Sequence, residues 1–142
     1  YVLPDRPFAV CLLTNSDTGG RVWRELAPWV FETFAGSRVP KVPRPPATRP
    51  SIDLGRYEAS YERLTSRFDV VAEDDHLRVT IATSGQYGFP DSTKEVDFWP
   101  IDERRFYAVV DELETIMTFL EPDAQGRPRY LHFGSRASVR RS

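Results

Sequence analysis

The second half of the sequence is built from short runs in which apolar and polar residues alternate, separated by polar turns. In one run Phe68, Val70 and Ala72 alternate with Arg67 and Asp69. A period of two residues places successive side chains on opposite faces of a β-strand, so each run has one apolar face. About seven or eight such runs follow one another with mostly short connections, which predicts antiparallel strands joined by hairpins. The region, with its first strand predicted at residues 55–61, is therefore expected to be mainly β.

An open sheet would leave two edge strands with unpaired backbone groups, whereas a closed barrel has no edges. We therefore expect an antiparallel up-and-down barrel. A barrel of about eight strands is either filled by side chains or holds one small ligand. The number of large side chains available for the interior favours a filled barrel; they are Phe68, Phe98, Phe106, Phe119 and Phe133.

The sequence before this region has a different pattern. The apolar run at residues 8–14 is typical of a strand buried on both faces, and Cys11 within it is predicted to be a core side chain. A helix is predicted next, with a kink or break at Pro28 and an end at Gly36. Its apolar stripe has four members at helical spacing: Trp23, Leu26, Val30 and Phe34. One strand cannot cover such a stripe, so we expect residues 1–38 to be part of a larger domain that is cut in this chain.

Residues 39–50, VPKVPRPPATRP, separate the two regions and contain five of the twelve prolines. Proline favours an extended conformation, so this segment is predicted to be a semi-rigid strap. The expected organisation is an incomplete domain at residues 1–38, a linker at 39–50 and a barrel at 51–142.

The charge of the chain excludes some classes of function. Nineteen basic and 21 acidic residues give a net charge of −2, which argues against nucleic-acid binding. No apolar run is long enough to predict a membrane span. The two histidines, His76 and His132, and the acidic runs lack the spacing of metal ligands, so we expect no metal site. The sequence does not indicate a compartment.

The segment SGQYGFPDSTK, at residues 84–94, is longer than the other connections between the predicted strands. Long loops that interrupt a series of hairpins often carry function. Tyr87 and Phe89 are therefore candidates for ligand binding or for the rim of an active site. Three alternatives remain open: they cover the mouth of the barrel, they reach toward the missing part of the larger domain, or they plug one end of the barrel.

Two parts of the sequence resemble one protein superfamily. The segment VLPDRPFAVCLLTN, with the glycine-rich turn and helix that follow, resembles the C-terminal end of serine β-lactamases and penicillin-binding proteins of the class C or esterase type. In that fold the last two strands of a central sheet precede a helix that packs on the sheet. The resemblance implies that residues 1–38 are the remaining hairpin and helix of an α/β serine hydrolase domain.

Many members of that superfamily carry a small lipocalin-like barrel after a linker, as in D-aminopeptidase-type proteins. Such barrels often open with a pattern similar to L-x-x-Y-x-G-x-Y. The segment IDLGRYEASY at residues 52–61 resembles it, with Ala59 at a position where glycine is common. The resemblance implies a lipocalin-like barrel at residues 51–142.

The catalytic residues of the superfamily do not carry over to this chain. No serine has a lysine three residues later, and no Y-x-N or K-T-G motif occurs, so no catalytic residue is assigned. The resemblance implies that the parent enzyme transfers an acyl group through a serine ester, on a β-lactam, peptide or ester substrate, without a metal or organic cofactor. It also implies that this fragment is inert. Its partner would be the missing N-terminal catalytic domain of the same chain.

Two alternatives come from other classes of protein. The barrel is either a stand-alone lipocalin-like module that binds a small ligand, or a structural module that mediates dimerisation. The apolar surface expected at residues 8–34 also predicts self-association of the chain.

Overall fold

The computed structural model describes residues 2–16, 19–85 and 91–141. It divides the chain into two compact units, Tyr1–Lys41 and Val42–Ser142, and the division falls within the proline-rich segment. The origin of the smaller unit stays a prediction. Neither unit contains, within the described ranges, a helix with the length and apolarity needed to cross a bilayer.

The smaller unit begins with a two-stranded hairpin. Strand β1, Val2–Leu3, pairs antiparallel with β2, Phe8–Ala9. The prediction of a strand over the whole of residues 8–14 was wrong, because residues 10–14 have no described strand beside them and form no regular structure. Cys11 is consequently exposed rather than a core side chain.

Helix α1, Gly19–Ala35, follows the hairpin as one continuous helix that contains Pro28. A proline inside a helix removes one backbone hydrogen bond, yet here it does not break the helix. The helix ends where predicted, since Gly36 has a φ of 58°, in the left-handed region that glycine adopts at helix ends. Arg6 Nη1 donates a hydrogen bond of 2.5 Å to the carbonyl of Ala35, which satisfies one of the last carbonyls of the helix.

The helix buries a different face from the one predicted. The fully buried side chains on this face of the helix are those of Ala27, Phe31 and Ala35. The ring of Phe31 packs edge to face against that of Phe8, with 5.4 Å between the ring centroids. Phe34, which the predicted stripe included, is instead 65% exposed. The other three members of the predicted stripe, Trp23, Leu26 and Val30, are half-buried. The face of Ala27, Phe31 and Ala35 is therefore buried completely and the predicted stripe only in part.

The larger unit is a closed, lipocalin-like up-and-down barrel of eight antiparallel strands, all within the described residues. Each strand pairs with the next along the chain, and residues 139–141 of the last strand pair with residues 60–62 of the first to close the barrel. The fold class predicted from the alternation is thereby confirmed. The strands are β3 Ala59–Arg63, β4 Ser66–Ala72, β5 Leu77–Thr83, β6 Ser92–Pro100, β7 Arg105–Val110, β8 Leu113–Pro122, β9 Pro128–Phe133 and β10 Arg136–Arg141.

One end of the barrel, which we call the closed end, is covered by a short 3₁₀ helix, Leu54–Tyr57. The prediction that residues 55–61 open the barrel as a strand was wrong in its first half. The side chain of Asp53 accepts a hydrogen bond from the backbone N–H of Gly55 at 3.1 Å, which favours a turn at this point. The 3₁₀ helix places the rings of Tyr57 and Phe106 5.0 Å apart in the interior.

The interior is filled by aromatic and aliphatic side chains, as predicted. Phe68, Phe98 and Phe106 are fully buried, and Phe119 nearly so, while Phe133 packs against this core. Ring pairs such as Phe106–Phe119, at 5.4 Å and 87°, have the edge-to-face geometry that aromatic side chains prefer.

We expect Phe106→Ala to destabilise the barrel strongly, because it leaves a cavity among rings that cannot collapse into it. The free energy of unfolding should fall by about 3–5 kcal/mol. The matched control is Val109→Ala on the same strand, whose side chain is 54% exposed and whose loss should change stability by less than about 1 kcal/mol. Urea denaturation measures both, and equal losses for the two variants would contradict the assignment of Phe106 to the core.

Candidate functional site

The predicted site residues Tyr87 and Phe89 lie outside the described residues. The chain on either side of them is described, however. The N–H of Ser84 donates to the carbonyl of Thr65 at 3.0 Å, and that of Gly85 to Asp91 Oδ1 at 2.6 Å. Both flanks therefore lie at the end of the barrel opposite the closed end.

That opposite end carries a row of polar side chains on the interior face of neighbouring strands. The register pairs Arg63 with Ser66, Ser66 with Thr83, and Thr83 with Ser92. Because side chains alternate along a strand, these positions share the face that buries Tyr61 and Phe68 deeper in the barrel. We call this set, together with Arg136 on β10, the open rim.

A cavity of about 410 Å³ lies over the open rim. It is lined by residues 62–67 of the β3–β4 hairpin, by residues 82–84 and by residues 91–93. Its lining includes Arg63 and the three hydroxyl-bearing residues of the row, whose hydroxyl groups donate and accept hydrogen bonds. It also includes Glu62, Arg67 and Asp91, so the cavity carries two acidic and two basic side chains, and Arg136 is not among the described lining residues.

Arg63 occupies an unusual position for a charged side chain. Its guanidinium lies 5.3 Å from the ring centroid of Phe68, and Nη1 donates to the backbone carbonyls of Phe133 at 3.1 Å and Arg136 at 3.3 Å. Burial, and secondarily the positive charge of Arg136, lower the pKa of Arg63. The Nε–H of Arg63 is buried and has no hydrogen-bond partner among the described residues.

Arg63 and Arg136 also differ from most arginines of the barrel unit in lacking a described carboxylate partner. Arg67 pairs with Glu62 and Asp69, and Arg78 with Glu73 and Asp97. Six further arginines of this unit also form an ion pair with a carboxylate: Arg44, Arg49, Arg56, Arg105, Arg127 and Arg141. Arg104, Arg129 and Arg140 likewise have no described ion pair, so this feature is shared by five arginines of the described barrel unit.

The barrel wall is least continuous at the same end. Pairing between β6 and β7 among the described residues is limited to Trp99–Tyr107 and Pro100–Phe106, near the closed end. Lys94 on β6 reaches Asp111 in the β7–β8 turn, with Nζ 2.6 Å from Oδ1. This ion pair links β6 to the β7–β8 turn beyond the described pairs of the two strands.

The closed end is stabilised by tyrosine hydroxyls and arginines. Tyr57 donates a hydrogen bond from its hydroxyl to the carbonyl of Glu103, and Tyr61 donates to the carbonyl of Tyr57 at 3.0 Å. Arg140 donates to the Tyr61 hydroxyl at 3.3 Å and to the carbonyl of Glu58 at 2.7 Å. All of these groups are occupied in holding the 3₁₀ helix against the barrel, so this end has a structural role.

Residues 42–50 are held against the outer wall of the barrel. Arg44 Nε donates to Glu114 Oε1 at 2.8 Å, and the Tyr107 hydroxyl donates to the same oxygen at 2.9 Å. Arg49 lies 4.2 Å from the ring centroid of Trp99 and forms an ion pair with Asp75. Two arginines thus fix the strap at two separate points.

His76 belongs to the second of these points rather than to a catalytic or metal site. Its ring stacks on Trp99 at 4.5 Å, and its Nδ1 lies 3.0 Å from Asp75 Oδ1. The other histidine, His132, is on β9. Among the described residues no group of three or more histidine, cysteine or acidic side chains has the arrangement of a metal site.

Sequence reasoning did not single out Arg63 or Arg136. The sequence contained one usable signal: in the alternating pattern, both arginines occupy positions whose side chains lie on the interior face of the barrel. Arg63 follows the interior residue Tyr61 by two positions, and Arg136 precedes the buried Ser138 by two, so both are charged residues on an interior face.

Comparison with known proteins assigns neither a family nor a function to this chain. No protein-family model matches the sequence, and no curated protein is similar to it at a significant level.

Burial raises the pKa of Tyr61 to about 12, although Arg140 partly opposes the shift. A tyrosine in the unfolded chain loses its proton near pH 10. Between these values the folded state holds a proton that the unfolded state has released, so stability falls as pH rises from about 10 to about 12. Below pH 10 this tyrosine contributes no pH dependence.

We therefore expect Tyr61→Phe to weaken the loss of stability in that window, by up to about 1.4 kcal/mol per pH unit. Urea unfolding at pH 9, 10 and 11 measures the slope. Val109→Ala, which removes an exposed side chain without a titratable group, is the control and should retain the wild-type slope. A slope unaffected by Tyr61→Phe would contradict the prediction.

Proposed function

We propose that this chain is the C-terminal part of a serine β-lactamase-like hydrolase, in which the barrel is an accessory domain. In the complete enzyme, a serine of the upstream domain would transfer an acyl group from a β-lactam, peptide or ester substrate. The chain described above would contribute no catalytic residue, in keeping with the absence of S-x-x-K, Y-x-N and K-T-G motifs from its sequence.

The observation that supports this proposal is the incomplete packing of the smaller unit. Leu13 is 89% exposed and Trp29 57% exposed, although both lie in the apolar segments that the resemblance assigns to a buried strand and a packed helix. Leaving apolar surface of this kind in water is unfavourable by about 25 cal/mol per Å². Such a unit is expected where further strands and helices of the same domain cover it.

The first test is the coding DNA upstream of Tyr1. We expect an open reading frame that continues through a strand with a K-T-G-like motif and, well before it, an S-x-x-K motif. The product should become covalently labelled by a fluorescent fluorophosphonate, and replacement of the S-x-x-K serine by alanine should abolish labelling. An initiator codon within a few dozen bases of Tyr1 would contradict the proposal.

The role of Tyr87 and Phe89 is tested in the complete enzyme by the double variant Tyr87→Ala/Phe89→Ala. If these side chains shape the rim of the active site, the ratio of kcat/KM between a large and a small ester substrate should change by about tenfold or more. The double variant Tyr130→Ala/Val139→Ala, on the neighbouring strands β9 and β10, controls for general effects on the barrel. A lowered Tm with an unchanged substrate ratio would contradict the active-site role.

A further inference from the structure

We propose that the outer wall of the barrel carries a recognition surface for an extended, proline-rich segment with two arginines five residues apart. The surface, which we call the strap surface, is formed by Asp75, His76, Trp99, Tyr107 and Glu114. Residues 42–50 of the strap occupy it, so a segment of the same chemistry in a partner protein would bind by displacing the strap. This inference is independent of the hydrolase proposal, since it concerns only residues of the barrel unit.

The centre of the strap surface is a row of aromatic side chains on neighbouring strands. Trp99 and Tyr107 are partners in the register of β6 and β7. Both side chains lie on the outside of the barrel, because the preceding residue on each strand is a fully buried phenylalanine. The ring of His76 extends the row by stacking on Trp99, with 4.5 Å between the centroids. Tryptophan and tyrosine are the residue types that most often anchor protein interfaces.

A carboxylate lies at each end of this row. At one end, Glu114 Oε1 accepts a hydrogen bond of 2.8 Å from Arg44 Nε. At the other end Asp75 forms an ion pair with Arg49, and the guanidinium of Arg49 lies 4.2 Å from the ring centroid of Trp99. A guanidinium that pairs with a carboxylate and stacks on an aromatic ring is a contact that lysine reproduces poorly. The strap surface is therefore complementary to two arginines.

The distance between the two ends matches an extended proline-rich chain. Glu114 is on β8 and Asp75 is in the turn before β5, so three strand-to-strand spacings, about 14 Å, separate them. Five residues of polyproline II chain, the interval from Arg44 to Arg49, span about 15 Å. A segment with a different spacing of its arginines would not reach both carboxylates in this conformation.

The exposure of the strap follows the period of a polyproline II helix, which has three residues per turn. Val42 and Pro45 are half-buried, whereas Pro43, Arg44 and Pro46 are exposed. A polyproline II chain is already extended before it binds and therefore loses little conformational entropy. The strap surface thus suits this conformation as well as the two charges.

The contacts that hold the strap are of a kind that another segment can displace. The side chains of Arg44 and Arg49 are 72% and 45% exposed, and ion pairs between exposed side chains contribute little to stability. Among the described residues, no backbone hydrogen bond joins residues 42–50 to a barrel strand. A competing segment has only to replace side-chain contacts and to overcome the effective concentration of the tethered strap, which is of millimolar order.

The experiment follows the indole N–H signal of Trp99 in ¹⁵N–¹H spectra of the whole 142-residue chain while a peptide of residues 42–50, VPRPPATRP, is added. The variant Trp99→Phe identifies this signal among those of the three tryptophans. In the double variant Arg44→Gln/Arg49→Gln the strap competes less, so the peptide should give a saturating shift. It should bind this variant about tenfold more tightly than the wild-type chain, with titration to about 10 mM peptide.

The matched control for charge is Arg129→Gln/Arg136→Gln, which removes two exposed arginines without a described ion pair. It should bind the peptide as weakly as the wild-type chain does. Adding Glu114→Gln to the variant with the weakened strap should lower the affinity about threefold to fivefold, because one end then lacks its carboxylate. The peptide VPRRPPATP, which has the same composition but adjacent arginines, should bind that variant at least about threefold more weakly than VPRPPATRP.

Thermal unfolding first establishes that each variant is folded. If Arg44→Gln/Arg49→Gln is not, Arg44→Gln alone takes its place, with an expected gain in peptide affinity of about threefold. Three results would overturn the proposal: a Trp99 shift that does not saturate in the variant with the weakened strap, equal binding of the two peptides, or equal affinities of this variant and the charge control.

Discussion

The closure of the barrel by pairing of β10 with β3 is the constraint on which the larger unit depends. Residues 139–141 and 60–62 provide this pairing, and they join strands that are separated by almost the whole unit in sequence. Without it, β3 and β10 would be edge strands with unpaired backbone groups, and the aromatic core would be open along one side. The core, the closed end and the open rim all depend on this one seam.

The two ends of the barrel differ because the chain enters at one of them. The 3₁₀ helix inserts Tyr57 among the core rings, and Arg140 binds the carbonyls of Arg56 and Glu58. Arginine is thus used at the closed end to satisfy backbone groups that a barrel strand would have paired. At the open rim no such segment enters from the described chain, so Arg63 caps two carbonyls and retains an unused N–H.

The smaller unit and the barrel differ in how completely their apolar side chains are buried. In the barrel, five phenylalanines and two tyrosines form a continuous core. In the smaller unit, a hairpin with two-residue strands faces a helix of 17 residues, and only one helix face is fully buried. This difference supports the hydrolase proposal. Large apolar side chains of the smaller unit, such as Leu13 and Trp29, are exposed, whereas the aromatic side chains of the barrel core are buried.

The sequence by itself determined the features that depend on local pattern. The period of two residues defined the barrel strands and their interior phenylalanines, Gly36 marked the end of α1, and the prolines marked the division between units. It did not determine the extent of β2 or the buried face of α1, because both depend on which neighbours are available to cover them. Nor did alternation distinguish a 3₁₀ helix from a strand at residues 54–57.

The open rim was decided only by the tertiary structure. Arg63 and Arg136 are far apart in sequence, and each by itself is typical of a solvated strand end. They become neighbours because β9–β10 folds back beside β3 when the barrel closes. The physical reason is that alternation specifies the face on which a side chain lies, whereas register and closure specify which residues on that face meet.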